Sequence, residues 1–205
     1  MRTMELSLGL VLLCLLRVQA GDTATGELDE SKIAGTWYIT AMASDSEAYL
    51  QKKDQLKMAM ANIEVLGDGD LKVSFAIPTP ERCMKFESIY KPTGRPNEYC
   101  STDRGNKTVQ LVDTDGSSYM IVFATREKDK KTLHMLRLYS RSQWVRPEIE
   151  SLFKRLAEKK GFTKETIWML PRQEECRLDK PQAMSLLGLC GQTWTFTSLK
   201  RWGYN

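Results

Sequence analysis

Leu71-Lys72-Val73-Ser74-Phe75-Ala76-Ile77 is the stretch that decides the fold. Large apolar residues stand at every second position, with small or polar residues between them. A helix would scatter this set around its circumference, whereas a strand gathers it on one face. The run opens on Gly67-Asp68-Gly69-Asp70, a hairpin-turn sequence, and closes on Pro78 and Pro80, residues that strand interiors exclude. Outward from this segment the same unit repeats. Residues 37–42 read as a first strand. Leu56, Met58 and Met60, alternating with Lys57 and Ala59, read as a second. Residues 84–90, 97–101, 107–113, 118–125 and 132–141 follow, and 166–169 reads as a short final strand. A strand every eight to twelve residues or so, with turn signals between, is the pattern of a β-sandwich or an up-and-down barrel.

A single helix interrupts the pattern late. Pro147 suits a first helical position. Ile149, Leu152, Phe153 and Leu156 fall at i, i+3, i+4 and i+7, which makes one apolar stripe. Lys154, Arg155, Glu158 and Lys159 face water, and Gly161 stands where a helix stops. The stripe needs an apolar surface, and the outer wall of the sheet supplies one. Leu136 and Leu138 share a face that can meet it. Met135, Arg137 and Tyr139 then share the opposite face and look inward.

The bulk numbers fit this picture. The chain has 205 residues, 41% of them hydrophobic and 27% charged, with a net charge of +4. That suits one globular domain with short flanking pieces, and the charge is too mild and too interspersed for nucleic acid. The N-terminus reads as an address. Arg2, an apolar run over residues 6–16 and Val18-Gln19-Ala20 make a signal peptide over residues 1–20. The run is too short to cross a bilayer, and no later segment is long enough either. Cleavage after Ala20 removes Cys14 and leaves Cys83, Cys100, Cys176 and Cys190, an even set in an oxidising compartment. The expected location is therefore secreted, extracellular. With one histidine, His134, and no metal-binding, phosphate-binding or dinucleotide motif, the sequence implies no metal and no cofactor.

Gly35-Thr36-Trp37-Tyr38, Asp113-Thr114-Asp115 and Arg141, in this order and at these distances, resemble the three motifs of the lipocalin family. The resemblance covers residues 28–176. Gly116 stands where the second motif usually continues with tyrosine. The family fold is all-β: an eight-stranded antiparallel up-and-down barrel, a calyx, with one C-terminal α-helix packed outside. The resemblance implies that Trp37 closes the barrel base and that Arg141 stacks across it. It implies a disulfide between Cys83 and Cys176. Spacing similar to the β-lactoglobulin branch implies a ligand-binding set of Leu56, Met58, Met60, Ile63, Leu71, Val73, Phe75, Val109, Leu111 and Val122. Other segments, residues 52–58 among them, are similar to lipocalin-type prostaglandin D synthases. Those enzymes work through a cavity thiol, and Ala59 stands at the matching position.

The expected function is a secreted binding or transport protein holding a small lipophilic ligand (a fatty acid, retinoid, odorant or steroid-like molecule) and catalysing nothing. Two other readings stand beside it: an interaction protein acting through its surface or tail, and a prostaglandin isomerase without its nucleophile. A cell-surface receptor is among the partners that secretion allows, and the sequence leaves the oligomeric state open. Arg137 either meets a ligand carboxylate, or pairs with an acidic residue at the mouth or points outward. Tyr139 either bonds a polar ligand end or a backbone carbonyl. Asn106-Lys107-Thr108 is a glycosylation sequon. Residues 177–205 form a C-terminal extension, either a docking segment or a flexible tail. Cys190 within it either pairs with Cys100 or stays free.

Overall fold

The computed structural model describes residues 30–103, 105–128 and 131–180. The expected signal peptide over 1–20, Cys14, Cys190 and all of the extension from residue 181 onward lie outside the described residues. Among the described residues, nine strands run in the order β1 (Gly35–Ser44), β2 (Ala59–Val65), β3 (Leu71–Pro78), β4 (Cys83–Pro92), β5 (Glu98–Ser101), β6 (Lys107–Thr114), β7 (Tyr119–Lys128), β8 (Lys131–Ser140) and β9 (Ile167–Met169). Short helical turns α1 (Glu30–Ile33) and α2 (Glu47–Leu50) flank β1, and the main helix α3 spans Pro147–Lys159. Each of the first seven strands pairs antiparallel with the next, and β1 pairs with both β2 and β8. The sheet therefore closes on itself into an eight-stranded up-and-down barrel. Closure leaves the barrel strands no long open edge for another chain to extend.

The alternation of β3 becomes the wall. Leu71, Val73 and Phe75 are buried in the interior cluster with Trp37, Ile39, Ala61 and Ile63. The turn before β3 is closed by the Gly69 amide donating to the Leu66 carbonyl, and Gly69 takes a φ of +82° that favours glycine. On β8, Leu136 and Leu138 face outward and pack under Phe153 and Ala157 of α3, all at 0% exposure. Ala41 and Ala43 lie beneath the same helix, their small side chains letting it approach. Gly161, at φ +91°, ends α3. The Gly161 amide donates to the Glu158 carbonyl and the Phe162 amide to the Ala157 carbonyl, so two terminal carbonyls find partners and Phe162 folds back onto the helix core.

Two departures from strict alternation shape the wall. The register slips between Ile39 and Ala41 against β8, with Thr40 as the extra residue. Trp37 and Ile39 thus face inward while Ala41 and Ala43 face the helix. A second slip between Leu111 and Asp113 leaves Val112 as the extra residue, packed against the outer cluster. The second strand also corrects the expectation from alternation. It begins at Ala59, not at Leu56. The Met58 amide donates to the Pro171 carbonyl, outside the barrel ladder, and residues 53–55 form a tight helical turn. Past β2, β9 takes over as the partner of β1 at Ala41, Met42 and Ala43.

Cys83 and Cys176 are joined in a disulfide 93 residues apart in sequence, with Cα atoms 5.0 Å apart. On a chain-entropy view, closing a loop of this length stabilises the fold by about 4–5 kcal/mol. The bond pins the segment after β9 to the outer wall, where Met60, Ala76 and Cys176 form a small buried cluster with Tyr38 and Leu178 against it.

Candidate functional site

The barrel closes at one end first. The Trp37 indole N–H donates to the Ile33 carbonyl at 2.7 Å, tying β1 to α1. The Arg141 guanidinium lies 3.6 Å from the centroid of the Trp37 ring. It donates to the carbonyls of Thr36 (2.9 Å), Lys32 (3.0 Å) and Ala34 (2.7 Å). Gly35 takes φ +90°, and a Cβ there would come within 3.2 Å of the guanidinium. The positive φ and this close approach together favour glycine. Asp115 holds the adjoining turn, accepting from the amides of Ser117, Ser118 and Tyr119. Burial opposes its charge, but hydrogen bonds from Ser118, Ser117 and Tyr119 outweigh that and hold the carboxyl well below the usual carboxylate range. Asp113 accepts from the Tyr119 phenol at 3.1 Å, and the Thr114 hydroxyl donates to the Tyr119 carbonyl at 2.6 Å. Gly116 adopts φ +72°, a conformation that glycine takes without strain.

Above this base lies a cavity of about 350 Å³. Nine residues of the expected ligand set line it: Ile63, Leu71, Val73, Phe75, Val109, Leu111, Val122, Arg137 and Tyr139. Three do not. Met60 faces the outer wall and packs with Ala76 and Cys176. Its neighbours Ala59 and Ala61 take the inward positions because β2 starts one register later than its sequence alternation implies. Leu56 and Met58 join the interior cluster but not the cavity wall, since they precede β2.

The cavity carries groups outside that expected set. Lys107 and Arg126 line it towards the open end, as Cα partners across β6 and β7. Lys107 continues the inward series Val109 and Leu111, and Arg126 continues Val122 and Ala124. Extending the period of two along each strand would have found both. Tyr90, Tyr99, Ile77, Phe86 and Met120 line it by the same rule. Tyr49, behind the lining rather than in it, had no such signal. It sits on α2, outside the strand periodicity, and is buried with its phenol 3.5 Å from the Met42 carbonyl.

Arg137 is the chemical centre of this cavity. Its Nε–H donates to the Met135 sulfur at 3.0 Å. Among the described residues, no carboxylate lies within ion-pairing distance of it. Burial works against its charge, yet the phenol oxygens of Tyr139, Tyr90 and Tyr49 leave its pKa above the ordinary arginine value. Burial pushes Tyr49 and Tyr90 up to about 12, with Arg137 pulling the other way. Both are neutral phenols at physiological pH. They give the guanidinium dipoles and no counter-charge, in a setting where a buried charge ordinarily demands a partner. No aspartate or glutamate among the described residues lines the cavity.

Comparison with known proteins places this architecture. Residues 34–174 match the model of the lipocalin / cytosolic fatty-acid binding protein family. The extracellular fatty acid-binding protein of Coturnix japonica is 49% identical over 180 residues, spanning 88% of this chain and 99% of that protein. A solved siderocalin, Ex-FABP, described as acting through dual ligand specificities, superposes with a TM-score of 0.69 at 44% identity, covering 72% of this chain and 99% of that one. More distant, the prostaglandin-H2 D-isomerase of Felis catus is 29% identical over 178 residues, 82% of this chain and 93% of that enzyme. The relatives thus include binding proteins and an enzyme, and the chain belongs to the lipocalin family.

Proposed function

We propose that the chain is a secreted carrier for one small amphipathic anion, with the apolar body in the barrel and the anionic head at Arg137. The observation that carries this reading is the Arg137 guanidinium, set among neutral phenols on an apolar cavity wall with no carboxylate beside it among the described residues. A ligand carboxylate or phosphate would supply the missing charge through charge-assisted hydrogen bonds. The relatives named for extracellular fatty-acid binding support both the location and the ligand class. Lys107 and Arg126 offer a second cationic place. Arg126 lies four residues towards the mouth from Val122, the ladder partner of Arg137, or about 13 Å along the strand. That spacing gives room for a second ligand class, in keeping with the dual specificities described for the siderocalin relative.

We further propose that the barrel does not isomerise prostaglandin. Ala59 stands where the family's enzymes carry their thiol, and no cysteine among the described residues lines the cavity. Asn106, exposed in the turn before β6, is proposed to carry a glycan at the rim, which a mass shift on glycosidase treatment would reveal. The main experiment is native mass spectrometry of secreted protein, followed by displacement of a bound fluorescent fatty acid. One lipid per barrel and full displacement by a long-chain fatty acid are expected. A barrel that binds no lipophilic anion overturns the reading and leaves an interaction protein.

A further inference from the structure

Met135 shares the inward face of β8 with Arg137 and lines the cavity beside it. It stands two residues nearer the mouth, about 7 Å along the strand. Among the described residues, Met120 and Met135 are the methionines that line the cavity, and they differ in access. Met120 is buried at 3% exposure, whereas Met135 is half-buried and borders the open space of the barrel. Met58 and Met60 are buried as well, and Met84, near the start of β4, is exposed.

The Met135 sulfur accepts the Arg137 Nε–H at 3.0 Å. A thioether is a weak acceptor and brings no charge, so it leaves the guanidinium open to a ligand anion. Among the described residues no carboxylate ion-pairs with Arg137. One oxygen on this sulfur changes the balance. A sulfoxide turns the apolar side chain into a polar one, with a strongly dipolar S–O bond. The new oxygen is one bond from an atom that already touches Nε, and the flexible methionine side chain lets it turn onto the guanidinium. It also takes up room on the cavity wall where an anionic head would approach.

We propose that Met135 is a site of oxidation by peroxides, and that its sulfoxide occupies Arg137 and weakens the binding of anionic ligands. The inference rests on the reading of Arg137 as the anion site. The oxidant is hydrogen peroxide or an organic hydroperoxide. A lone pair of the sulfur attacks the terminal peroxide oxygen, the S–O bond forms and the O–O bond breaks. Sulfur gives up two electrons and the peroxide is reduced. The departing oxygen takes the proton of the transferred one and leaves as water, or as an alcohol from an organic hydroperoxide. A ligand held by its apolar body alone keeps its place.

The test treats the secreted protein with hydrogen peroxide and locates the added oxygen by mass spectrometry of a digest. Affinities for palmitate and for hexadecanol are measured by fluorescence displacement before and after. An added oxygen on the fragment with Met135 is expected, with palmitate weakened about 10-fold, the order of one charge-assisted contact, and hexadecanol changed by no more than about threefold. In Met135→Leu the same treatment should leave the palmitate affinity within about twofold of its untreated value, so the effects of oxygen placed elsewhere, at Met84 or Cys100, are separated. A complete Met135 sulfoxide with unchanged palmitate affinity overturns the proposal. So does an equal loss for acid and alcohol, or a Met135 that stays a thioether after Met84 is fully oxidised. Untreated protein that binds no palmitate overturns the carrier reading itself, before any oxidation. The unsubstituted protein alone decides the first two outcomes, so a folding defect in the variant does not affect them.

Discussion

Two arginines of the same inward series, Arg137 on β8 and Arg141 just past its end, are treated in opposite ways by the fold. Arg141 has an aromatic face at 3.6 Å and three backbone carbonyls between 2.7 and 3.0 Å. Everything a guanidinium needs is supplied by the chain, and the group closes the barrel base. Arg137, further along the same face into the cavity, has a thioether and neutral phenols. Its charge is retained without a counter-charge. A satisfied cation serves the fold; a cation left wanting an anion costs stability and is kept where something else will meet it.

Substitutions should separate the two positions. Arg141→Met is expected to have the largest effect on stability, a loss of about 3 kcal/mol. It forfeits the ring stack and leaves the carbonyls of Lys32, Ala34 and Thr36 without their donor. The urea midpoint should fall with the slope unchanged. Asp115→Asn, in the same base, should cost about 1–2 kcal/mol at pH 7. The native carboxyl titrates below its unfolded value of about 3.9, so its contribution is complete above that pH and is lost as pH falls towards the native value. Wild type and Asp115→Asn should therefore converge between neutral and strongly acidic pH, and a constant difference would contradict the assigned role. Arg137→Met should have the smallest effect on stability, within about 1 kcal/mol of wild type, because no ion pair is lost and an apolar side chain of similar length fills the same place. A large loss there would show that Arg137 is structural after all.

The same contrast explains what can be read from the sequence. The base is legible because its parts are local motifs, Gly35-Thr36-Trp37 and Asp113-Thr114-Asp115, with Arg141 at a fixed place after β8. The apolar wall is legible wherever a strand keeps its period of two, as Leu71, Val73 and Phe75 do. Legibility fails where that period is broken or begins elsewhere. Alternation with Leu56 and Met58 puts Met60 inward, yet those two precede the strand, and β2 takes its phase from pairing with β1 and β3. The slip at Thr40 is invisible in the residues themselves, since it arises from the demand to cover both the cavity and the helix. Tyr49 comes near enough from a short helix to feel the charge of Arg137, a proximity that only the folded chain defines.

If the cavity recognises charge at Arg137 and apolar bulk elsewhere, an acid and an alcohol of the same length must respond differently to loss of that charge. The deciding measurement is the affinity of a long-chain fatty acid and of the matching fatty alcohol, for wild type and for Arg137→Met, by fluorescence displacement at pH 7. The substitution is expected to weaken the acid by about 10- to 100-fold, the worth of one charge-assisted contact, and to change the alcohol by no more than about threefold. An equal loss for acid and alcohol would show that Arg137 does not read the ligand's charge.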